Sequence, residues 1–155
     1  MKTFLILSDS HGRRGAFDKI KPLFAENDYI VHLGDGSSDC RELFARYPEK
    51  TYICKGNCDF SYGAEEYVIE AEGLSLFVCH GHRYGVKSGL KKLAARARER
   101  GCEIALYGHT HRASIETVDG VLCINPGAAG SYSEPSYCYL VLHNGKATPT
   151  IVSLI

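Results

Sequence analysis

The chain has no surplus of charge of either sign, no long apolar run and no paired cysteines. Of its 155 residues, 18 are Lys or Arg and 18 are Asp or Glu. That balance argues against bulk electrostatic capture by nucleic acid or by an anionic membrane surface, leaving only a local basic patch as a route to either. The opening stretch, MKTFLILSDSHG, carries one short apolar run, Phe4 to Leu7, before Ser8. That is too little for the core of a signal peptide or for a membrane span. Seven cysteines is an odd number, and they are scattered without a Cys-x-x-Cys pair. A reducing cytoplasm is the expected location. No repeat, low-complexity segment or linker interrupts the chain, so a single domain over residues 1–155 is expected. A chain of this length buries roughly two thirds of its unfolded surface, and 45% hydrophobic with 23% charged residues is the make-up of an ordinary globular protein.

What is present is an alternation of short strands and helices. Thr3–Leu7, a continuous apolar run, suits a strand buried on both faces. Arg14 to Ala25 places Phe17, Ile20 and Phe24 at helical spacing. Tyr29–Leu33 is the second strand, a short helix starts near Asp39 with Leu43 and Phe44 inward, and Thr51–Cys54 is the third strand. The style then changes. EEYVIEAEGLSLFVCH reads as a hairpin turning at Glu72–Gly73. Ser88 to Arg100 is a helix with Leu90, Leu93, Ala94 and Ala97 as its apolar stripe and a solvated basic face, stopping at Gly101. A strand over EIALYG follows, then hairpins on Asp119–Gly120 and Asn144–Gly145, residue pairs that tolerate the positive φ such turns need. The expected class is α/β, mixed sheets with helices outside.

The polar residues gather at strand ends. Asp9 and His11 follow the first strand, Asp35 the second and Asn57 the third. His80 and His82 follow LSLFVC, and His109 and His111 follow EIALY. Each sits in a glycine-containing loop. In open α/β sheets, ligands bind beyond the carboxyl ends of the strands, so these loops would converge on one edge. Carboxylates, imidazoles and an amide oxygen are what divalent cations take, and a set this poor in thiolate is not that of a structural zinc site. Taken singly, each residue has an ordinary reading: a capping aspartate, a turn residue, a buried imidazole. Five loops of this kind in one chain point to metal. His32, inside the second strand, reads as packing, and His143 as surface.

In this order and spacing, DSHG, GDG, GNCD, HGH and GHTH resemble the calcineurin-like metallophosphoesterase superfamily, and the small size with the NPGA loop resembles its YfcE-type phosphodiesterases. The resemblance covers nearly the whole chain. It implies two packed mixed β-sheets flanked by helices, a four-layer sandwich. It also implies a two-metal site: Asp9, His11, Asp35 and His111 on one ion, and Asp35, Asn57, His80 and His109 on the other, with Asp35 bridging. Mn²⁺ is the expected ion; Ni²⁺, Fe²⁺, Zn²⁺ and Mg²⁺ suit parts of the same set. The implied catalytic group is Asp35, Asn57, Cys58 and His80, and the implied reaction is in-line attack on a phosphate ester by a metal-activated hydroxide. Asp59 and His82 are candidates to orient the ligands, though Asp59 also reads as a turn residue. Arg13 and Arg112, each just after a metal motif, could meet a phosphate or simply face solvent. The loop Asn125–Ser136 could shape the substrate mouth or merely connect two hairpins.

One position departs from the superfamily pattern. Where histidine usually follows the asparagine, this chain has Cys58. A thiol is a weak hydrogen-bond donor and carries no positive charge. A dianionic monoester loses more by that than a monoanionic diester, so a preference for diesters is expected. The expected partner is a small phosphodiester, with neither membrane nor strong nucleic-acid binding, and a homodimer or larger homo-oligomer is possible on general grounds. The alternative from another class is a non-catalytic scaffold, as the resemblance to the fold's retromer member implies. Against it, all seven ligand positions keep residues able to bind metal.

Overall fold

The continuous apolar run at the start becomes the centre of the molecule. In the computed structural model, which describes residues 1–13, 15–60 and 63–155, β1 (Lys2–Leu7) has Phe4, Leu5, Ile6 and Leu7 fully buried. It lies between β2 (Tyr29–His32), which runs parallel to it, and β9 (Ser136–His143), which runs antiparallel. With β3 (Thr51–Ile53) and β10 (Lys146–Ser153) at the edges, the first sheet has the order β10-β9-β1-β2-β3. The second sheet is β4 (Glu66–Ala71), β5 (Leu74–Cys79), β6 (Ile104–Leu106), β8 (Val121–Asn125) and β7 (Ser114–Val118), in that order. β5, β6 and β8 run parallel, and β4 and β7 close the edges antiparallel.

Strand alternation assigns each buried side chain to a layer. Phe4 and Ile6 point to one face of β1 and meet Val31, Leu76, Val78, Leu106, Ile124 and Leu140 in a core between the two sheets. Leu5 and Leu7 point the other way, onto Phe17, Ile20, Phe24 and Leu43 from the helical side. On the far face of the second sheet, Phe77, Cys79, Ala105 and Cys123 are covered by Leu90, Leu93, Ala94 and Ala97. Helix, sheet, sheet, helix is therefore the order of layers. Each fully buried Phe, Leu or Ile contributes roughly 1.5–3 kcal/mol by leaving water.

The helices are shorter than their apolar spacing suggests. α1 covers Gly15–Ile20 and gives way to a 3₁₀ turn at Lys21–Leu23, because Pro22 cannot donate the next helical hydrogen bond; Arg14, where this helix was expected to start, lies outside the described residues. α2 covers Arg41–Arg46 after a 3₁₀ turn at Ser37–Cys40, later than Asp39. Leu43 is buried, but Phe44 is exposed: on so short a helix a neighbouring position already faces water. α3 covers Lys91–Glu99, held back at its start by Gly89 in an extended, positive-φ conformation. Its basic face is partly used within the fold: Arg96 and Arg100 reach the Glu66 carboxylate at 3.0 and 2.6 Å, tying α3 to β4. The three hairpin turns have Glu72, Asp119 and Asn144 at positive φ, each followed by glycine.

Candidate functional site

The carboxyl ends of β1, β2 and β3 in one sheet meet those of β5 and β6 in the other. Backbone hydrogen bonds lock neighbouring loops within each sheet, Asp9 N donating to Gly34 O and His11 N to Asp35 O, both at 3.0 Å, and Gly108 N to His80 O at 2.9 Å, while His109 N crosses between the sheets to Asp9 Oδ2 at 3.0 Å. Asp9, His11, Asp35, His109 and His111 all adopt positive φ, between 48° and 70°. L-residues adopt that region rarely and at a cost of order 1–3 kcal/mol each, and such residues cluster where function over-determines the backbone. Two glycines show how close the loops come. A Cβ on Gly56 would lie 2.2 Å from Asp35 Oδ1, and one on Gly108 2.0 Å from Ser8 Oγ.

The seven expected ligand residues come together in two overlapping groups. Asp9 Oδ1 lies 3.2 Å from His111 Nε2 and 3.7 Å from His11 Nε2, and the two imidazole nitrogens are 3.3 Å apart. Asp35 Oδ2 lies 3.3 Å from His80 Nε2. His80 Nε2 is in turn 3.0 Å from Asn57 Oδ1 and 3.2 Å from His109 Nδ1. Asp35 faces both groups, with Oδ2 4.0 Å from His11 Nε2 as well. Cys58 joins the edge: its thiol can share a ligand cluster with His11 and Asp35.

This donor set fits a cation. Asp9 Oδ1 is buried and, among the described residues, has no hydrogen-bond partner. His80 Nδ1 sits 2.7 Å from Leu33 O, which places the ring proton there and turns the Nε2 lone pair toward two oxygens and another imidazole nitrogen. Lone pairs facing one another at 3 Å repel unless a positive charge stands among them. The same demand appears in the protonation equilibria. Burial alone would lower the His80 pKa, but the carboxylates of Asp35 and Asp9 raise it. Burial alone would raise that of Asp35, but a second ring proton on His80, standing where an ion would, and the hydrogen bond from the Cys58 amide hold it far below the usual carboxylate range. Burial and the neighbouring His80 charge lower His109.

The other expected residues divide. Asp59 accepts four backbone amides, from Asp35, Gly36, Ser37 and Gly56, and so binds the second and third loops together. His82 packs its ring 5.3 Å from that of His80 and, among the described residues, joins no ligand group. Arg13 lines the cleft of about 450 Å³ that opens on Asp9, His11 and His111. Arg112 lies outside it, in a neighbouring cavity beyond His111. The Asn125–Ser136 loop lines the cleft through Ala128, Gly130, Ser131 and Tyr132. His32 is buried as expected and stacks on Phe17, while His143 is exposed.

Some supporting residues gave no signal in the sequence. Gly34 N donates to His32 Nδ1 at 3.1 Å, so the His32 proton sits on Nε2, 3.0 Å from Ser10 Oγ. Ser10 Oγ donates onward to Asp39 Oδ2 at 2.7 Å, which also accepts Gly12 N. That chain braces both sides of His11. Asn125 does the same for the histidine pair, donating to Gly108 O and Thr110 Oγ1 at 3.2 and 3.0 Å. Serine, asparagine and aspartate in loops are too common to stand out by spacing alone.

The match that decides the family runs over residues 1–146, which fit the calcineurin-like phosphoesterase superfamily domain. The chain belongs to that superfamily. It is 38% identical over 151 residues to the probable metallophosphoesterase YsnB of Bacillus subtilis, covering 93% of this chain and 86% of YsnB. It is 26% identical over 153 residues to the phosphodiesterase YfcE of Escherichia coli K12, covering 83% and 79% of the two chains. In three dimensions it resembles vacuolar protein sorting 29 of Cryptosporidium parvum, with a TM-score of 0.77 at 21% identity over 99% and 97% of the two chains. That last likeness is one of fold. The two mixed five-stranded sheets with their helices are the metallophosphoesterase architecture, and the clustered Asp and His side chains are potential metal-binding residues within it.

Proposed function

We propose that this chain is a two-metal phosphodiesterase. One ion would be held by Asp9, His11, Asp35 and His111, the other by Asp35, Asn57, His80 and His109, and Mn²⁺ suits this mixture of carboxylate, imidazole and amide. Two such ions, when bound, supply Lewis acidity that acidifies water and offsets charge on phosphoryl oxygens. The observation that carries the reading is Asp35, whose carboxylate faces His80 at 3.3 Å and His11 at 4.0 Å while its other oxygen is fixed by the Cys58 amide at 2.7 Å. The low pKa of Asp35 keeps it an anion throughout the neutral range, and Asp59 holds its backbone in place.

Cys58 sets the preference among esters. In the metal-free protein, partial desolvation and the adjacent Asp35 carboxylate push its thiol pKa up. Beside the reacting ester it offers neither imidazolium charge nor a strong donor. A monoanionic diester with a good leaving group tolerates that better than a dianionic monoester, so diesters are the favoured class and monoesters are turned over weakly.

The test is a panel of phosphate esters, both mono- and diesters, assayed with each divalent ion in turn, with Asp35→Ala and His109→Ala as controls. Bis(p-nitrophenyl) phosphate hydrolysis should require added ion and fall by more than about a hundredfold in either variant, as loss of several kcal/mol of charge stabilisation implies. Protein that cleaves no diester with any ion, yet retains a protein partner, would instead favour the scaffold reading.

A further inference from the structure

Beside the histidine pair, the cleft carries an aromatic side chain that lies outside the buried core. Tyr132 is 88% exposed. It is nevertheless held in place. The Arg13 guanidinium lies against its ring, 3.2 Å from the centroid, and donates a hydrogen bond to Gly130 O. Ala129 N and Gly130 N donate to Ser8 O and Asp9 O at 2.8 and 3.1 Å, so the loop that carries Tyr132 is stitched to the backbone of the Asp9 loop. Gly130 permits the approach: a Cβ there would lie 2.3 Å from Ser10 O. The ring is thus fixed at the wall of the roughly 450 Å³ cleft that contains Asp9, His11 and His111. An exposed tyrosine with no packing role would normally be left free. Here a buried-loop anchor and a cation on one ring face restrict it, which lowers the entropy lost when a second ring stacks on it.

We propose that Tyr132, backed by Arg13, is a specificity-determining platform that receives the organic arm of the phosphodiester and selects a flat aromatic one, an aryl group or a nucleobase. This rests on the phosphodiesterase reading above and adds the substrate class. Stacking on a tyrosine is tolerant of which ring is offered, because every such ring presents a π-face. The cleft volume is within the range that encloses small organic ligands. A phosphoryl group at the histidine cluster and a ring on Tyr132 would occupy two parts of one cavity.

The experiment measures competitive inhibition of bis(p-nitrophenyl) phosphate hydrolysis by dimethyl phosphate, phenyl methyl phosphate and thymidine 5′-(methyl phosphate), in the Mn²⁺-loaded wild type, Tyr132→Ala and Tyr132→Phe. The wild type should bind the ring-bearing esters more tightly than dimethyl phosphate. Tyr132→Ala should shrink that preference about tenfold, the size expected for one stacking partner, and Tyr132→Phe should keep it. The phenyl and thymidine arms separate a simple aryl from a nucleobase. An unchanged preference in Tyr132→Ala overturns the proposal. If no variant hydrolyses the diester, the phosphodiesterase reading fails separately. The platform is then judged by saturation-transfer NMR with diphenyl phosphate on metal-free protein. Ring-proton transfer in wild type and Tyr132→Phe that weakens in Tyr132→Ala supports it, and equal transfer in all three overturns it.

Discussion

The Asp59 carboxylate accepts the backbone amide of Asp35 at 2.8 Å, and with its remaining lone pairs it takes the amides of Gly36, Ser37 and Gly56 at 3.0, 3.1 and 2.8 Å. One side chain thereby fixes two loops. These bonds hold its own pKa below the usual carboxylate value against the opposing effect of burial.

Asp59→Ala leaves those amides without their acceptor. The loss should be about 2–3 kcal/mol, which for a chain of this size lowers the melting temperature by roughly 4–12 °C. Metal affinity should fall as well, by about 10–100-fold, as for other residues that hold ligands in position. Calorimetry of the metal-free protein and Mn²⁺ titration check the two effects separately. A variant that melts and binds like wild type would show that Asp59 is a turn residue only.

His32 makes stability depend on pH. Burial lowers its pKa from 6.5 to about 4, with Asp9, Asp59 and Asp39 opposing only in part. Between those values the unfolded chain takes up a proton that the folded one refuses, so stability rises with pH. The contribution is complete above about pH 6.5 and is lost as pH falls toward 4, about 3 kcal/mol in all. Urea unfolding of metal-free protein at pH 7.5, 5.5 and 4.5, compared with His32→Gln, isolates it. The gap between the two proteins should narrow on acidification, and a constant gap would contradict this account.

Cys58→His should raise monoester hydrolysis relative to diester hydrolysis, by about 100-fold in the ratio, the lower end of what a positioned general acid contributes. Rates on p-nitrophenyl phosphate and bis(p-nitrophenyl) phosphate measure it. An unchanged ratio would mean that the thiol does not set the preference.

Much of this architecture was legible in the sequence because its signals are local. Phe4–Leu7 is apolar without alternation because both of its faces are covered, and Asp119–Gly120 and Asn144–Gly145 name their turns by chemistry. The candidate ligands were visible because aspartate, asparagine and histidine recur at the ends of successive strands, and the rule for parallel strands brings such ends together. Less local features escaped. Pro22 shortens the first helix through a missing donor, and Phe44 faces water because a six-residue helix has little buried face. The Asp39–Ser10–His32 chain and the Tyr132–Arg13 stack join residues far apart in the chain, and no spacing rule marks such partners.

The central claim is that Asp35 stands between two bound cations. Equilibrium dialysis of the metal-stripped protein against saturating Mn²⁺, followed by elemental analysis, tests it most directly. Wild type should retain two ions per chain, and Asp35→Ala no more than one. One ion or none per wild-type chain would contradict the account.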